Sequence, residues 1–335
     1  MTRDQRTYDT LRLLAEHEPV GSVHLTKRLK ERGYSITERA VRMTLADLDE
    51  DGLTKKVGGK GRRLTDDGRA ELERGGVRGR IEQVRERLAE LTSRVTYAPE
   101  TDSGDVVVGT VTVSASARTR VEEILRRIDE SPLGPVPASI EPIDRGGDDR
   151  LEIAAASSVT IDGVLLAGGI ETALDTTGIV EYHPTSESVP YDDPEPTAHG
   201  GAIRRYTDVI GDERATLDMV SLLIEARRTA VGRALEGETG LLVADNREFP
   251  LSRFEEAHEL AVGTRDRLGG VIDLRRPRES GPFPWGQPGW SFASLTCAGS
   301  AELVTSRLVE ADLAVDWTTL ADVRSRSTLA PVEET

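Results

Sequence analysis

Residues 35–65, "SITERAVRMTLADLDEDGLTKKVGGKGRRLT", decide the fold of the N-terminal part of this chain. Val41, Leu45 and Leu48 recur at the spacing of one helix face, so the stretch opens on an amphipathic helix. At about 100° per residue, Arg39, Arg42, Met43 and Ala46 fall on the opposite face. Ser35 and Glu38 stand at the capping-box spacing, where each side chain satisfies a backbone donor of the other, so Ser35 is the predicted N-cap. After the helix, "LTKKV" and "RRLT" flank "GGKG", two short strands about a glycine turn.

On the N-terminal side, residues 4–16 place Tyr8, Leu11 and Leu14 or Ala15 at helical spacing. Ser22 is placed to cap a second helix with Leu25 and Leu29 on one face, ended by Gly33. Three helices followed by a basic hairpin make a winged helix-turn-helix, predicted over residues 1–74. In such a domain the third helix enters the major groove and the wing lies along phosphates. The expected DNA contacts are Ser35, Thr37, Arg39, Arg42 and Met43 from the helix, with Lys55, Lys56, Lys60, Arg62 and Arg63 from the wing. A charge run alone is more often a solvated face. Here helix order, outward arginines and charge asymmetry agree on a double-stranded DNA operator as partner.

The asymmetry is large. The chain of 335 residues has a formal net charge of -16, yet residues 1–94 carry 21 Lys or Arg against 17 Asp or Glu, and the remainder 22 against 42. All five lysines lie in the first 60 residues. So acidic and lysine-poor a composition points to a host with concentrated internal salt; the segment that stays basic points to a polyanion. One cysteine, Cys297, excludes a disulfide framework within the chain, and the five histidines are scattered without ligand spacing, so no metal site is expected. No apolar run approaches membrane-spanning length, and the expected location is the cytoplasm.

Residues 75–103 read as a helical linker. Ile81, Val84, Leu88, Leu91 and Val95 form a short heptad seam, which serves either to pair two chains or to pack on the body of its own chain. From 104 to 327 strands and helices alternate, giving the chain an α+β class with a C-terminal mixed α/β domain. Strands are expected at 105–115, in "RLEIAAASSVTIDGVLLAGGI" and "GIVEYH", and at "GLLVAD", "GGVIDL" and "SFASLTC". Helices are expected at 118–130, about 212–235, about 252–268 and 300–312, with a Pro- and Gly-rich loop over 131–149, and residues 328–335 are expected as a disordered tail. The motifs of serine hydrolases, zinc peptidases and dinucleotide-binding folds are absent, so no enzyme and no cofactor are expected. Gly168 and Gly169, read as following a strand, either present backbone N–H groups to an anion or make a turn.

The order of winged helix, linker, "SSVTIDGVLLAGGI", "GIVEY" and "GLLVADNREFP" resembles the archaeal nitrogen-regulatory repressor family NrpR, with a winged helix of the type found in ribonuclease R. The family carries a strand close to "S-x-T-I-N-G-V-L-L-K-A-G-I". It is matched by Ser158, Thr160, Ile161, Asp162, Gly163, Val164, Leu165, Leu166, Gly169 and Ile170, with Ala167 at the lysine position. Its "F-R-E-I-P" element is matched by Arg247, Glu248 and Pro250. The resemblance implies a homo-oligomeric repressor, a dimer or dimer of dimers, that releases DNA on binding 2-oxoglutarate as its small-molecule effector. Arg247 is the expected ligand fork, helped by backbone donors at Gly168 and Gly169; the alternative for Arg247 is a carboxylate pair that holds its loop.

Overall fold

A computed structural model describes residues 5–31, 36–59, 61–145, 148–184, 202–211, 217–279, 283–284 and 288–330. The chain divides into two compact units, Met1–Gln83 and Val84–Thr335.

In the first unit, helices α1 (Gln5–His17), α2 (Ser22–Glu31) and α3 (Glu38–Glu50) precede a hairpin of β1 (Thr54–Lys56) and β2 (Arg62–Leu64). Their inward residues make one core: Leu11 and Leu14 from α1, Leu25 and Leu29 from α2, Val41, Leu45 and Leu48 from α3, closed by Val20, Leu53 and Leu64. The hairpin pairs Thr54 with Leu64, Lys55 with Arg63 and Lys56 with Arg62. Val20 bridges to Arg62 on the outer side of the hairpin by an isolated antiparallel pair. Gly61 at φ +117 is required there, because a Cβ would overlap the Val20 carbonyl. This is the predicted winged helix, with two corrections. Ser22 lies inside α2 instead of capping it, and α3 is capped by Thr37, whose Oγ1 accepts from the Ala40 N–H at 3.3 Å. Gly33, Ser35 and Lys60 lie outside the described residues.

α4 (Asp66–Ser93) carries the chain into the second unit. Leu91 and Val95 are buried with Val106, Val107 and Val108, and Leu88 packs beside them, so this half of the heptad seam covers the body of its own chain. The side chains of Ile81 and Val84 lie outside those described.

The second unit consists of two antiparallel sheets and their helices. One sheet has the order β11–β3–β5–β4, from β3 (Asp105–Ser114), β4 (Ala138–Arg145), β5 (Asp148–Ala156) and β11 (Ala314–Ser325). The other has the order β7–β6–β8–β10–β9, from β6 (Ala173–His183), β7 (Ala202–Gly211), β8 (Gly240–Pro250), β9 (Val271–Arg275) and β10 (Phe292–Ala298). One face of each sheet meets a core shared with α5 (Arg118–Asp129), α8 (Val231–Leu235) and α10 (Ser300–Glu310). On the opposite face of the five-stranded sheet, Phe249, Leu295 and Ile272 pack against α6 (Thr160–Ala167) and α9 (Phe254–Leu268). All these pairings are antiparallel. The class is α+β.

Four expectations for this unit are corrected. "TIDGVLLA" is the helix α6, not the end of a strand, and its Thr160, Ile161, Val164 and Leu165 are all buried. The long helix expected over 212–235 is α7 (Leu217–Glu225) and α8, separated by a turn with Arg227 at φ +52. Part of the 131–149 loop is the edge strand β4, which tolerates Pro142. Of the expected tail, Leu329 is buried and Ala330 pairs with Ala138, while 331–335 lie outside the described residues.

Candidate DNA interface and the buried arginine of the regulatory unit

The outward stripe of α3 is assembled as expected. Val41, Leu45 and Leu48 take the core, which turns Arg39, Arg42, Met43 and Ala46 to solvent. Glu38 stands at the start of this stripe. Its Oε1 accepts from Ser22 Oγ at 3.2 Å and pairs with Arg42 Nη2 at 3.0 Å, so one carboxylate links α2 to the outward Arg42. Glu38 is thereby engaged with both α2 and Arg42.

In the wing, Lys55, Lys56 and Arg63 are exposed. Arg62 differs from them. Its side chain is 16% exposed and its Nε reaches Asp49 Oδ2 at 2.8 Å, tying the wing to α3. Thr54 Oγ1 donates to the other oxygen of Asp49 at 2.6 Å. Arg62, expected on a phosphate, is therefore an internal strut. The exposed cations left for a polyanion are Arg39 and Arg42 on α3 with Lys55, Lys56 and Arg63 on the wing.

In the second unit the expected effector residues sit elsewhere than predicted. β8 runs through "NREFP", so Arg247 is a strand residue and is 1% exposed. Its Nε donates to Asp162 Oδ1 at 2.6 Å, its Nη2 to the Ser158 carbonyl at 3.4 Å and its Nη1 to the Asp245 carbonyl at 3.5 Å. Asp245 in turn accepts from Thr177 Oγ1 at 2.8 Å and Ser158 Oγ at 2.9 Å. Ser157 Oγ donates to Glu302 Oε1 at 2.8 Å, and the Ser158 N–H donates to Glu302 Oε2 at 3.1 Å. The network thus links β5, α6, β6, β8 and α10. Gly299, the N-cap of α10, has no room for a Cβ, which would overlap the Ser158 nitrogen.

Burial dominates the electrostatics here. It works against the Arg247 charge, but Asp162 and Asp245 overcome it and hold the guanidinium above its usual range. Burial pushes the Asp245 carboxyl up, opposed by Arg247. It pushes Glu302 up to about 7 and the Cys297 thiol up to about 12. The Asp245 charge raises Glu302 further, while the hydrogen bond from Ser157 opposes the rise.

Gly168 and Gly169 are corrected as anion donors. They close the C-terminus of α6, with Gly169 at φ +72; the Gly168 N–H donates to Val164 and the Gly169 N–H to Leu166. Their carbonyls accept from Arg253 at 2.9 and 3.0 Å. A cavity of about 20 Å³ beside Ser157, Ser158 and Ser300 has room for about one water. An open cleft of about 690 Å³ is lined by Glu100, Glu256, Glu259, Asp266 and Arg267, a surface that repels dianions. Among the described residues, no group of three or more His, Cys, Asp or Glu side chains is placed to hold a metal. No described helix is long and apolar enough to cross a membrane.

Comparison with known proteins places both units. Residues 9–72 match the ribonuclease R winged-helix domain, and residues 81–190 match the NrpR regulatory domains NRD1 and 2. The chain is 30% identical over 304 residues to the global nitrogen regulator NrpRI of Methanosarcina mazei, covering 84% of this chain and 86% of that one. The chain belongs to the NrpR family. NrpR of Methanocaldococcus jannaschii is 31% identical over 277 residues, and NrpR of Methanococcus maripaludis 30% over 298. The chain spans 47% and 51% of their lengths. A solved nitrogen repressor-like protein from Methanococcus jannaschii has the same fold, with a TM-score of 0.55 at 18% identity over 74% of this chain and 97% of the other. The NrpR-like segment from Ser158 to Ile170 is therefore the piece that builds the buried network: it supplies Ser158 and Asp162 to Arg247 and Asp245.

Proposed function

We propose that this NrpR-family protein is a repressor of nitrogen-assimilation genes that holds its operator through α3 and the wing. The exposed arginine stripe of α3 beside the basic wing carries the reading, because it is a polyanion surface on a chain of formal net charge -16. Operator binding engages two half-sites about 34–36 Å apart, so the repressor works as a homodimer or a dimer of dimers. It acts in the cytoplasm without catalysing a reaction.

The effector in this reading is 2-oxoglutarate, a dianion. Arg247 already has Asp162 as its partner, so a ligand carboxylate takes Arg247 only by displacing Asp162 and moving α6. That displacement supplies the differential affinity an effector needs: a coupling of about 1–3 kcal/mol weakens operator binding roughly 5- to 150-fold. Calorimetric titration of 2-oxoglutarate at molar KCl, with and without operator DNA, tests the effector. Heat of binding and a matching drop in operator affinity are expected, and the absence of both removes 2-oxoglutarate from the account. Chromatin immunoprecipitation with and without ammonium tests the regulator. Peaks upstream of nitrogen-assimilation genes are expected; RNA-linked recovery instead would favour a role alongside ribonucleases.

A further inference from the structure

The outward stripe of α3 is not uniformly charged. Between Arg42 and the acidic C-terminal turn lies Met43, 60% exposed. Among the described residues of the first unit, Val23 is the other large apolar side chain so exposed. A thioether left in water gains nothing for folding, and Met43 faces away from the core built by Val41, Leu45 and Leu48. Its neighbours along the stripe are Arg39 and Arg42 toward the N-terminus, and Ala46 with the exposed Asp47 and Glu50 toward the C-terminus. Arg42, the preceding residue, is paired with Glu38.

An apolar protein partner is a poor match to this setting, because Arg39 and Arg42 on the same helix, with Lys55, Lys56 and Arg63 exposed on the wing, favour a polyanion. On the floor of the major groove the one apolar group that distinguishes a base pair is the C5 methyl of thymine. Arg42 and Met43 are adjacent in the helix, about 1.5 Å apart in rise. Successive base pairs are about 3.4 Å apart. Their side chains diverge by about 100° around the helix axis, so with the helix in the groove they reach neighbouring base pairs.

We propose that Met43 reads the C5 methyl of a thymine in the major groove, next to the base contacted by Arg42. This rests on the DNA-binding function proposed above and assigns one of its specificity determinants. Burying one methyl is worth about 0.8 kcal/mol, so its loss weakens binding about fourfold.

The test starts from duplexes selected out of a random library by the full-length protein. Each thymine of a selected duplex is replaced in turn by deoxyuridine, which removes the methyl and keeps every hydrogen-bonding group. One thymine per half-site should show about a fourfold loss of affinity. Met43→Ala and Met43→Gln should bind the thymine and uracil duplexes equally, while Arg42→Ala keeps the difference. Met43 is on the surface, so these variants keep the fold. Selected duplexes that tolerate uracil at every position overturn the role of Met43 and leave DNA binding standing. A methyl preference that survives in both Met43 variants assigns the contact to another residue and equally overturns it. Failure to select any duplex overturns DNA binding itself.

Discussion

Arg42 and Arg247 carry the same guanidinium and were both expected to touch a ligand, yet the two regions that hold them make opposite use of it. On α3, Arg42 has a side chain 63% exposed and one light tether, Glu38 at 3.0 Å. On β8, Arg247 is 1% exposed and is bound by Asp162 and two backbone carbonyls. An exposed pair is worth about 0–1 kcal/mol, so it leaves Arg42 available to a better acceptor. A buried pair stripped of one partner leaves an unpaired charge in a dry site. The same contrast recurs in the wing on a smaller scale, between Arg63 in solvent and Arg62 against Asp49.

The hardest test of this contrast is Arg247→Ala. It leaves Asp162 and Asp245 without their counter-charge and should lower the stability of the second unit by about 3–5 kcal/mol, read as a shifted urea midpoint. A midpoint unchanged from the parent would mean that Arg247 is not a structural charge and would return it to the ligand.

Glu302 sharpens the comparison through pH. Its carboxyl is pushed up from 4.5 to about 7, so between those values the folded chain holds a proton that the unfolded chain has lost. Stability therefore falls as pH rises from about 4.5 to about 7 and levels off above. The upward shifts of Asp245 and Asp273 add slope of the same sign. Glu302→Gln, a neutral mimic of the protonated acid, should match the parent near pH 4, exceed it at pH 8 and flatten the profile measured by urea unfolding. An undiminished slope in the variant would place the titrating group elsewhere.

The smallest expected effect separates the two wing arginines. Arg63→Ala should reduce the slope of log affinity against log salt by roughly one unit, for any DNA sequence, and leave stability unchanged. Arg62→Ala should instead cost about 1 kcal/mol of stability in the first unit with little change in slope. Equal salt slopes for the two variants would show that Arg62 leaves Asp49 when DNA arrives.

The first unit was almost fully legible because its signals are local: an apolar face at every third or fourth residue and a glycine turn between two strands. Its N-cap is less legible: Ser35 and Thr37 both have side chains suited to the place, and the structure has Thr37 as the cap while Glu38 is engaged by Ser22, distant in sequence. In the second unit α6 passed for a strand because it is buried on nearly all sides, and a short apolar run carries no period that separates helix from strand. β4, β7 and β11 lie at sheet edges, where polar residues and Pro142 blur the alternation. The Arg247 network joins residues 68 to 145 positions apart, so nothing in the neighbourhood of Arg247 announces Asp162 or Glu302. Burial, the property that decides an arginine's role, is the property a single sequence conveys least.

The claim that the exposed face of α3 reads DNA is tested most directly by one ratio, the affinity for a selected duplex over that for a random duplex at fixed KCl, compared between parent and Arg42→Ala. A bidentate arginine–guanine contact is worth about 1–3 kcal/mol of discrimination. The ratio should fall by about 5- to 150-fold, with the urea midpoint of the first unit unchanged. A ratio equal to that of the parent would contradict the account.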